Sequence, residues 1–263
     1  MKDFTHDIYK ELLETLKEIN YQFITVEEYF TSNYDESKPF IMMRHDVDRH
    51  PNRSLEMAKL EKSLGLKCTY YFRTIPQTLK PETIKAIADL GHEIGYHYES
   101  LAETNGNYEK ALEDFKSNLS ILNELYPIKN IAMHGRPTSK WDSRLLWEKY
   151  DYKEYGILSE PYFDIDFNKI FYTTDAGRSW NNEAINLRDR VDTKFNFSFV
   201  HTSEIINAIK QGDLPSKIMI NIHPEHWAKN NLEWYKVLTI RKIKNFVKKI
   251  VIKNVKSRGG GGI

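Results

Sequence analysis

The stretch Phe40-Ile41-Met42-Met43-Arg44-His45-Asp46-Val47-Asp48 decides the fold. An apolar run leads directly into charges, the pattern of a buried strand whose last residues leave the core. Pro51 then opens a helix in which Leu55, Ala58, Leu60 and Leu64 recur periodically, and Gly65 ends it. Lys67 to Phe72 is β-branched and aromatic and predicts a second strand. Pro81 starts the next helix, Gly91 stops it, and His92 to Tyr98 predicts a third strand.

Outward from this centre the alternation continues. Asp7 to Ile19 predicts a helix with Ile8, Leu12, Leu16 and Ile19 on one face. Tyr108 to Tyr126 predicts a long amphipathic helix, Ile131 to Met133 a fourth strand, and Ser143 to Lys149 a short helix. Tyr155 to Leu158 reads as a fifth strand and Phe163 to Thr174 as short strands. Thr202 to Lys210 is helical, and Lys217 to Ile222 is a final strand ending in His223-Pro224. Strands alternating with helices at this spacing imply an α/β fold with parallel strands and right-handed crossovers. A closed or nearly closed barrel is favoured, and a doubly wound sheet is the alternative that pattern leaves standing.

The chain has 263 residues, enough for one large core, and no repeat or long linker interrupts it. The expected organisation is one domain over 1–263. It has an N-terminal helical part (1–35), a core at about 40–225, and a basic helix with a glycine tail (231–263). A net charge of +1 gives no field that would mark a nucleic-acid binder. The single cysteine, Cys68, sits inside a predicted strand, reads as core packing and requires no oxidising compartment. Met1 to Asn20 lacks the apolar segment of a signal peptide, and no run approaches the ~20 apolar residues of a spanning helix, so a cytoplasmic location is expected.

The polar residues gather at strand ends. His45, Asp46 and Asp48 end the first predicted strand, His97 and Glu99 the third, His134 and Arg136 the fourth, and His223 and His226 the last. The C-terminal ends of parallel strands converge on one face, so these side chains should meet in one cleft. Imidazoles with carboxylates suit a divalent ion, Zn²⁺ foremost. Asp46 alone could cap a turn, but two carboxylates one residue apart behind Arg and His are less easily explained that way. His92, at a helix–strand turn, reads as a structural hydrogen-bond partner.

At these residues the sequence resembles the polysaccharide deacetylases, carbohydrate esterase family 4, also called NodB-homology domains. Arg44-His45-Asp46-Val47-Asp48 resembles the family's Thr-Phe-Asp-Asp-Gly motif, and Gly91-His92-Glu93-Ile94-Gly95-Tyr96-His97 its second motif. Gly135-Arg136-Pro137 is similar to its Arg-x-Pro motif, and Ile220-Asn221-Ile222-His223-Pro224 to its last one. The ordered set spans roughly residues 40–225 and is more specific than any one motif. With Gly95-Tyr96-His97-Tyr98-Glu99, the chain is similar to the WbmS-like branch, which is linked to O-antigen synthesis. The resemblance implies a distorted (β/α)7-type barrel of parallel strands that removes N- or O-acetyl groups from a sugar or polysaccharide.

It also implies roles. Asp46 is the expected base, Asp48 and His97 are expected metal ligands, and His223 is the acid that protonates the departing amine. Arg136 is expected to orient Asp46 or meet substrate, with a surface ion pair as its alternative. Asp175, Arg178 and Trp180 are expected to wall the sugar site, with Glu99 and His226 beside it. Trp180 reads equally well as core. One position departs from the family: its second imidazole would fall at Leu101, which cannot bind metal. By elimination His134 is the expected third ligand, with a substrate-side or supporting role as its alternative and Glu99 as its replacement. Two rival functions stand beside the deacetylase: a glycan-binding relative that has lost its metal, and a glycoside hydrolase using Asp46 and Glu99. At the C-terminus Ile240, Ile243, Val247 and Ile250 recur at helical spacing among Arg241, Lys242, Lys244, Lys248, Lys249, Lys253, Lys256 and Arg258. This predicts a helix packed on the barrel with a solvated face; weak contact with an anionic membrane is the sharper reading. Gly259 to Gly262 are expected to be disordered.

Overall fold

The computed structural model describes residues 2–136, 139–180 and 189–258, with side chains as far as residue 246 of the last helix. The strands are β1 (Gln22–Ile24), β2 (Phe40–Val47), β3 (Thr69–Phe72), β4 (Glu93–Tyr98), β5 (Ile131–Met133), β6 (Phe171–Thr174) and β7 (Lys217–Ile222). The helices are α1 (His6–Glu18), α2 (Val26–Phe30), α3 (Pro51–Ser63), α4 (Pro81–Asp89), α5 (Ser100–Glu103), α6 (Tyr108–Asn123), α7 (Leu146–Lys149), α8 (Pro161–Asp164), α9 (Thr202–Gln211) and α10 (Asn231–Arg258). Pro residues at the first turns of α3, α4 and α8 lose no intrahelical bond there. Thr5 caps α1, and Thr25 with Glu28 closes a capping box on α2.

All strand pairs are parallel, in the order β5-β4-β3-β2-β7-β6. The edge of β2 is divided: its first half pairs with β1 (Gln22↔Phe40) and its second half with β3 (Arg44↔Thr69). Among the described residues β5 and β6 do not pair, so the sheet curls into a half-barrel rather than closing into a ring. The segment after Tyr150 covers the free edge of β5. The strand expected at Tyr155–Leu158 is not one. Tyr152–Tyr155 is a 3₁₀ turn, Gly156 takes a left-handed φ of 78°, and the chain then makes only the bridge Asn130↔Ser159. Leu158 N–H donates to Lys129 O (2.7 Å), and Glu160 accepts the Met133 N–H (3.0 Å), so the edge is satisfied without a ladder. Phe163 to Thr174 holds the end of α8 and one strand, β6, rather than several, and the short β1 lay outside the sequence expectations.

Residues alternate across each strand. Met43, His45 and Val47 face the outer helices with Tyr70, Tyr96 and Ile220, over the fully buried Leu12, Leu13 and Leu16 of α1. Each buried side chain of that size contributes about 1.5–3 kcal/mol. Phe40 and Met42 face the concave side, where they pack on Ile24, Ile165, Phe167, Tyr172 and Met219. That small core floors the half-barrel, and the polar residues of the next layer stand on it.

Candidate metal centre

Arg44 and Asp46 continue the concave face above Met42, and Asp48 follows them at the end of β2. His97 ends β4, His134 follows β5, Asp175 follows β6 and His223 follows β7. Asp48, His97 and His134 each offer a ligand atom within 4.8 Å of the others. Asp48 Oδ1 lies 3.4 Å from His97 Nε2 and 3.3 Å from His134 Nε2. Ligand atoms placed 2.0–2.1 Å from a tetrahedral ion are about 3.3–3.4 Å apart. Asp48 Oδ1 is buried and makes no hydrogen bond. A buried, unbonded carboxylate oxygen facing two imidazole nitrogens at ligand-edge spacing fits a divalent cation.

The ring tautomers agree with this. His97 Nδ1 is 2.8 Å from Ala132 O, and a carbonyl only accepts, so the proton is on Nδ1 and the Nε2 lone pair faces the centre. His134 Nδ1 is 2.9 Å from Glu99 Oε2, a carboxylate–histidine pair of the kind that orients a metal-ligating ring. Arg73 holds the other oxygen of Glu99 (Nε–Oε1 2.8 Å) and reaches the Asp48 carbonyl (3.4 Å). Burial alone would raise the Glu99 carboxyl, but His134 and Arg73 outweigh it and hold it at about 2. Burial likewise opposes charge on His134, yet Asp48 and Glu99 lift it to about 9.

Asp46 is held by three donors. Arg44 binds it with two parallel bonds (Nε–Oδ1 2.8 Å, Nη2–Oδ2 2.9 Å), and Asn221 Nδ2 adds a third to Oδ2 at 2.9 Å. Arg44 and Asp46 are almost completely buried, and the guanidinium carbon lies 5.2 Å from the ring centre of Tyr71 and 5.1 Å from that of Tyr162. Burial would raise the Asp46 carboxyl, but Arg44, His97 and His223 more than offset it, so it stays below the usual carboxylate range. Its Oδ2 is 3.7 Å from His97 Nε2, beside the candidate centre.

His223 completes the arrangement. Asp175 Oδ1 accepts both its backbone N–H (2.9 Å) and its ring Nδ1–H (2.6 Å), while Trp227 donates to Asp175 Oδ2 (2.7 Å). A separation of 2.6 Å is a hydrogen bond, not a ligand edge, so this acid–imidazole cluster reads as a proton-handling pair. Burial disfavours the imidazolium, but Asp175, followed by Asp48 and Asp46, pushes its pKa well above the ordinary value.

Several expected roles are revised. Arg136 does not reach Asp46: it pairs with Glu103 and stands 3.8 Å from Glu99, while Arg44, two residues upstream on the same strand face, holds Asp46. Pro137 of that motif lies outside the described residues. Asp175 is fully buried behind His223 and cannot wall a sugar site. Trp180 is 7% exposed, donates to Thr202 (2.9 Å), stacks with Phe4 and meets Trp227 edge-on, so it is core. Arg178 lies over Phe4 and Trp234 and donates to His226 O (3.3 Å). His226 is buried with Nδ1 3.1 Å from Asp175 O, and Glu99 supports His134; neither is placed as a substrate contact. His45 points to the outer layer, where its Nε2 meets Glu61 (2.9 Å). Leu101 is core.

Sequence reasoning missed Arg44, Arg73, Asn221 and Glu225. The first carried a signal, since a charge two residues before Asp46 must share its strand face. Glu225 carried none. It is buried with Oε2 unbonded, and burial, then the charge of Asp48, pushes its carboxyl up to about 7.

No protein-family model matches the chain, and no curated protein matches it. Among solved structures the chain is similar to a family 4 carbohydrate esterase from Bacillus anthracis, with 13% identity and a TM-score of 0.42 over 88% of this chain and 83% of that one. It is similar to a CE4 esterase from Streptococcus mutans, with 13% identity and a TM-score of 0.43 over 88% and 89%. It is also similar to a CE4 family pseudoenzyme from Bacillus anthracis, with 10% identity and a TM-score of 0.43 over 80% and 63%.

Proposed function

We propose that the chain is a metal-dependent deacetylase that hydrolyses an acetyl group on a sugar, with Asp48, His97 and His134 as ligands and Zn²⁺ as the ion. The observation that carries the reading is the unbonded Asp48 Oδ1 at 3.3–3.4 Å from two imidazole nitrogens whose other ring nitrogens are already engaged. A divalent ion held there supplies a water of lowered pKa and a Lewis acid for the acyl oxygen. Asp46, kept ionised and immobile by Arg44 and Asn221, takes a proton from the attacking water. His223, kept protonated by Asp175, gives a proton to the departing nitrogen or oxygen. Two proton-transfer groups of opposite protonation state flank one centre, as hydrolysis of an amide or ester requires.

The glycoside hydrolase reading is disfavoured by the state of its two carboxylates. Asp46 is held ionised by Arg44, and Glu99 sits at about 2 between His134 and Arg73, so neither is a carboxylic acid able to protonate a glycosidic oxygen. Acetate release from N-acetylated and O-acetylated sugars tests the proposal. The protein as purified should release acetate, EDTA treatment should abolish release, and added Zn²⁺ should restore it. Release unaffected by thorough chelation would overturn it.

A further inference from the structure

Helix α10 shows two faces. Trp234, Val237, Arg241 and Asn245, spaced three, four and four residues apart, form the face that rests on the body. Trp234 Nε1 donates to Asp3 O (2.6 Å), Val237 is buried, Arg241 reaches Glu225 (3.5 Å) and Asn245 Nδ2 donates to Gly177 O (2.9 Å). The other side is apolar and uncovered: Leu232 is 82% exposed, Tyr235 56%, Ile240 44%, Ile243 60% and Phe246 67%. Leu232, Tyr235, Ile243 and Phe246 follow one another at three- and four-residue steps through Thr239, so they lie along a single stripe. A helix packed on the barrel should turn such residues inward and its charges outward. Here Ile240, Ile243 and Phe246 turn outward instead.

The charges choose what covers the stripe. From Lys236 to Arg258 the sequence carries nine basic residues and no acidic one. Lys242 is exposed on the flank of the stripe, and Lys236 rises within it on a stem long enough to lie along apolar surface. A second copy of the helix laid on the stripe would bring two strongly basic segments together. An anionic lipid surface satisfies both features, since the apolar residues enter the acyl boundary and the lysines meet the headgroups. No helix among the described residues is long and apolar enough to cross a membrane, so the contact is peripheral.

We infer that α10 docks the protein on an anionic membrane surface through Leu232, Tyr235, Ile240, Ile243 and Phe246. Its inner face is tied to Gly177 and Glu225, two residues past Asp175 and His223. A docked bilayer therefore lies about 10 Å, one helix diameter, from the loops that carry the candidate site.

The test is co-sedimentation of the full chain with vesicles of phosphatidylcholine alone and of phosphatidylcholine mixed with phosphatidylglycerol. It reads neither metal nor catalysis. Binding is expected to the mixed vesicles only and to weaken with added salt. Ile243→Ser/Phe246→Ser and Lys236→Gln/Lys242→Gln should each weaken it about tenfold or more. All four positions are exposed, so the thermal melt should not change. Absence of binding to the anionic vesicles overturns the inference. So does a wild-type dimer, by light scattering, that Ile243→Ser/Phe246→Ser converts to monomer, because a second copy then covers the stripe.

Discussion

Arg44 and Asp46 form a buried ion pair within one strand, and removing one partner leaves the other charged in a site with little water. Arg44→Met should therefore cost about 3–5 kcal/mol in urea unfolding, and Arg44→Met/Asp46→Leu should recover much of that loss. A double variant no more stable than the single one would show that pairing is not what matters there. Asp46→Asn separates function from stability less cleanly. Turnover should fall by about 10²–10⁴ through loss of the base, and some stability should go with it because Arg44 loses its counter-charge. Glu99 acts through His134. Glu99→Gln keeps the shape but gives up the charge, and should weaken metal binding by about 10–100-fold in a competition titration. An unchanged affinity would remove Glu99 from any part in orienting His134.

At the scale of elements, a second buried carboxylate ties helices to the sheet. Glu61 of α3 accepts from Tyr9 of α1 (2.6 Å) and Tyr70 of β3 (2.7 Å), and meets His45 of β2 (2.9 Å). Burial would raise its carboxyl, but His45, His92 and Tyr9 outweigh it and lower the pKa from 4.5 to about 2. The folded pKa lies below the unfolded one, so the folded state binds its proton later as pH falls. The stabilisation, about 3 kcal/mol, is complete above pH 4.5 and is lost as pH falls towards 2. Urea midpoints should therefore decline through this window, and Glu61→Gln should flatten the decline. An equally steep decline in the variant would place the acid sensitivity elsewhere. In β4, Gly95 gives Tyr71 of β3 the space its ring needs: a Cβ there would stand 2.4 Å from that ring and 3.0 Å from Asn130 O. Tyr71 is fully buried against Arg44 and cannot swing away, so Gly95→Ala should cost about 1–3 kcal/mol by thermal melt. No loss would mean that the β3–β4 pair has slack.

At the scale of the whole molecule, the order of strands and helices was legible because each strand from β2 onwards, apart from β6, is a short apolar run bounded by Pro, Gly or charge. Strand-end chemistry was legible for the same reason, since His97, His134 and His223 each stand where such a run stops. Curvature was not. Nothing in Tyr155–Leu158 distinguishes a strand from an edge cover, and only the hydrogen bonds that Leu158, Ser159 and Glu160 make to the edge show why no ladder is needed there. Partnership was also illegible: Arg136 and Arg44 look alike in sequence, and only strand alternation and the neighbouring β7, which supplies Asn221, decide which of them holds Asp46. The assignment of His134 rested on Leu101 being unable to bind metal, and the structure brings its Nε2 to 3.3 Å from Asp48. Zinc titration of metal-free wild type and His134→Ala, followed by a competing chelator, tests the central claim most directly. One equivalent should bind the wild type, and the variant should lose affinity far beyond the 10–100-fold expected for a supporting residue. Unchanged stoichiometry and affinity in His134→Ala would contradict the three-ligand centre on which the function is proposed.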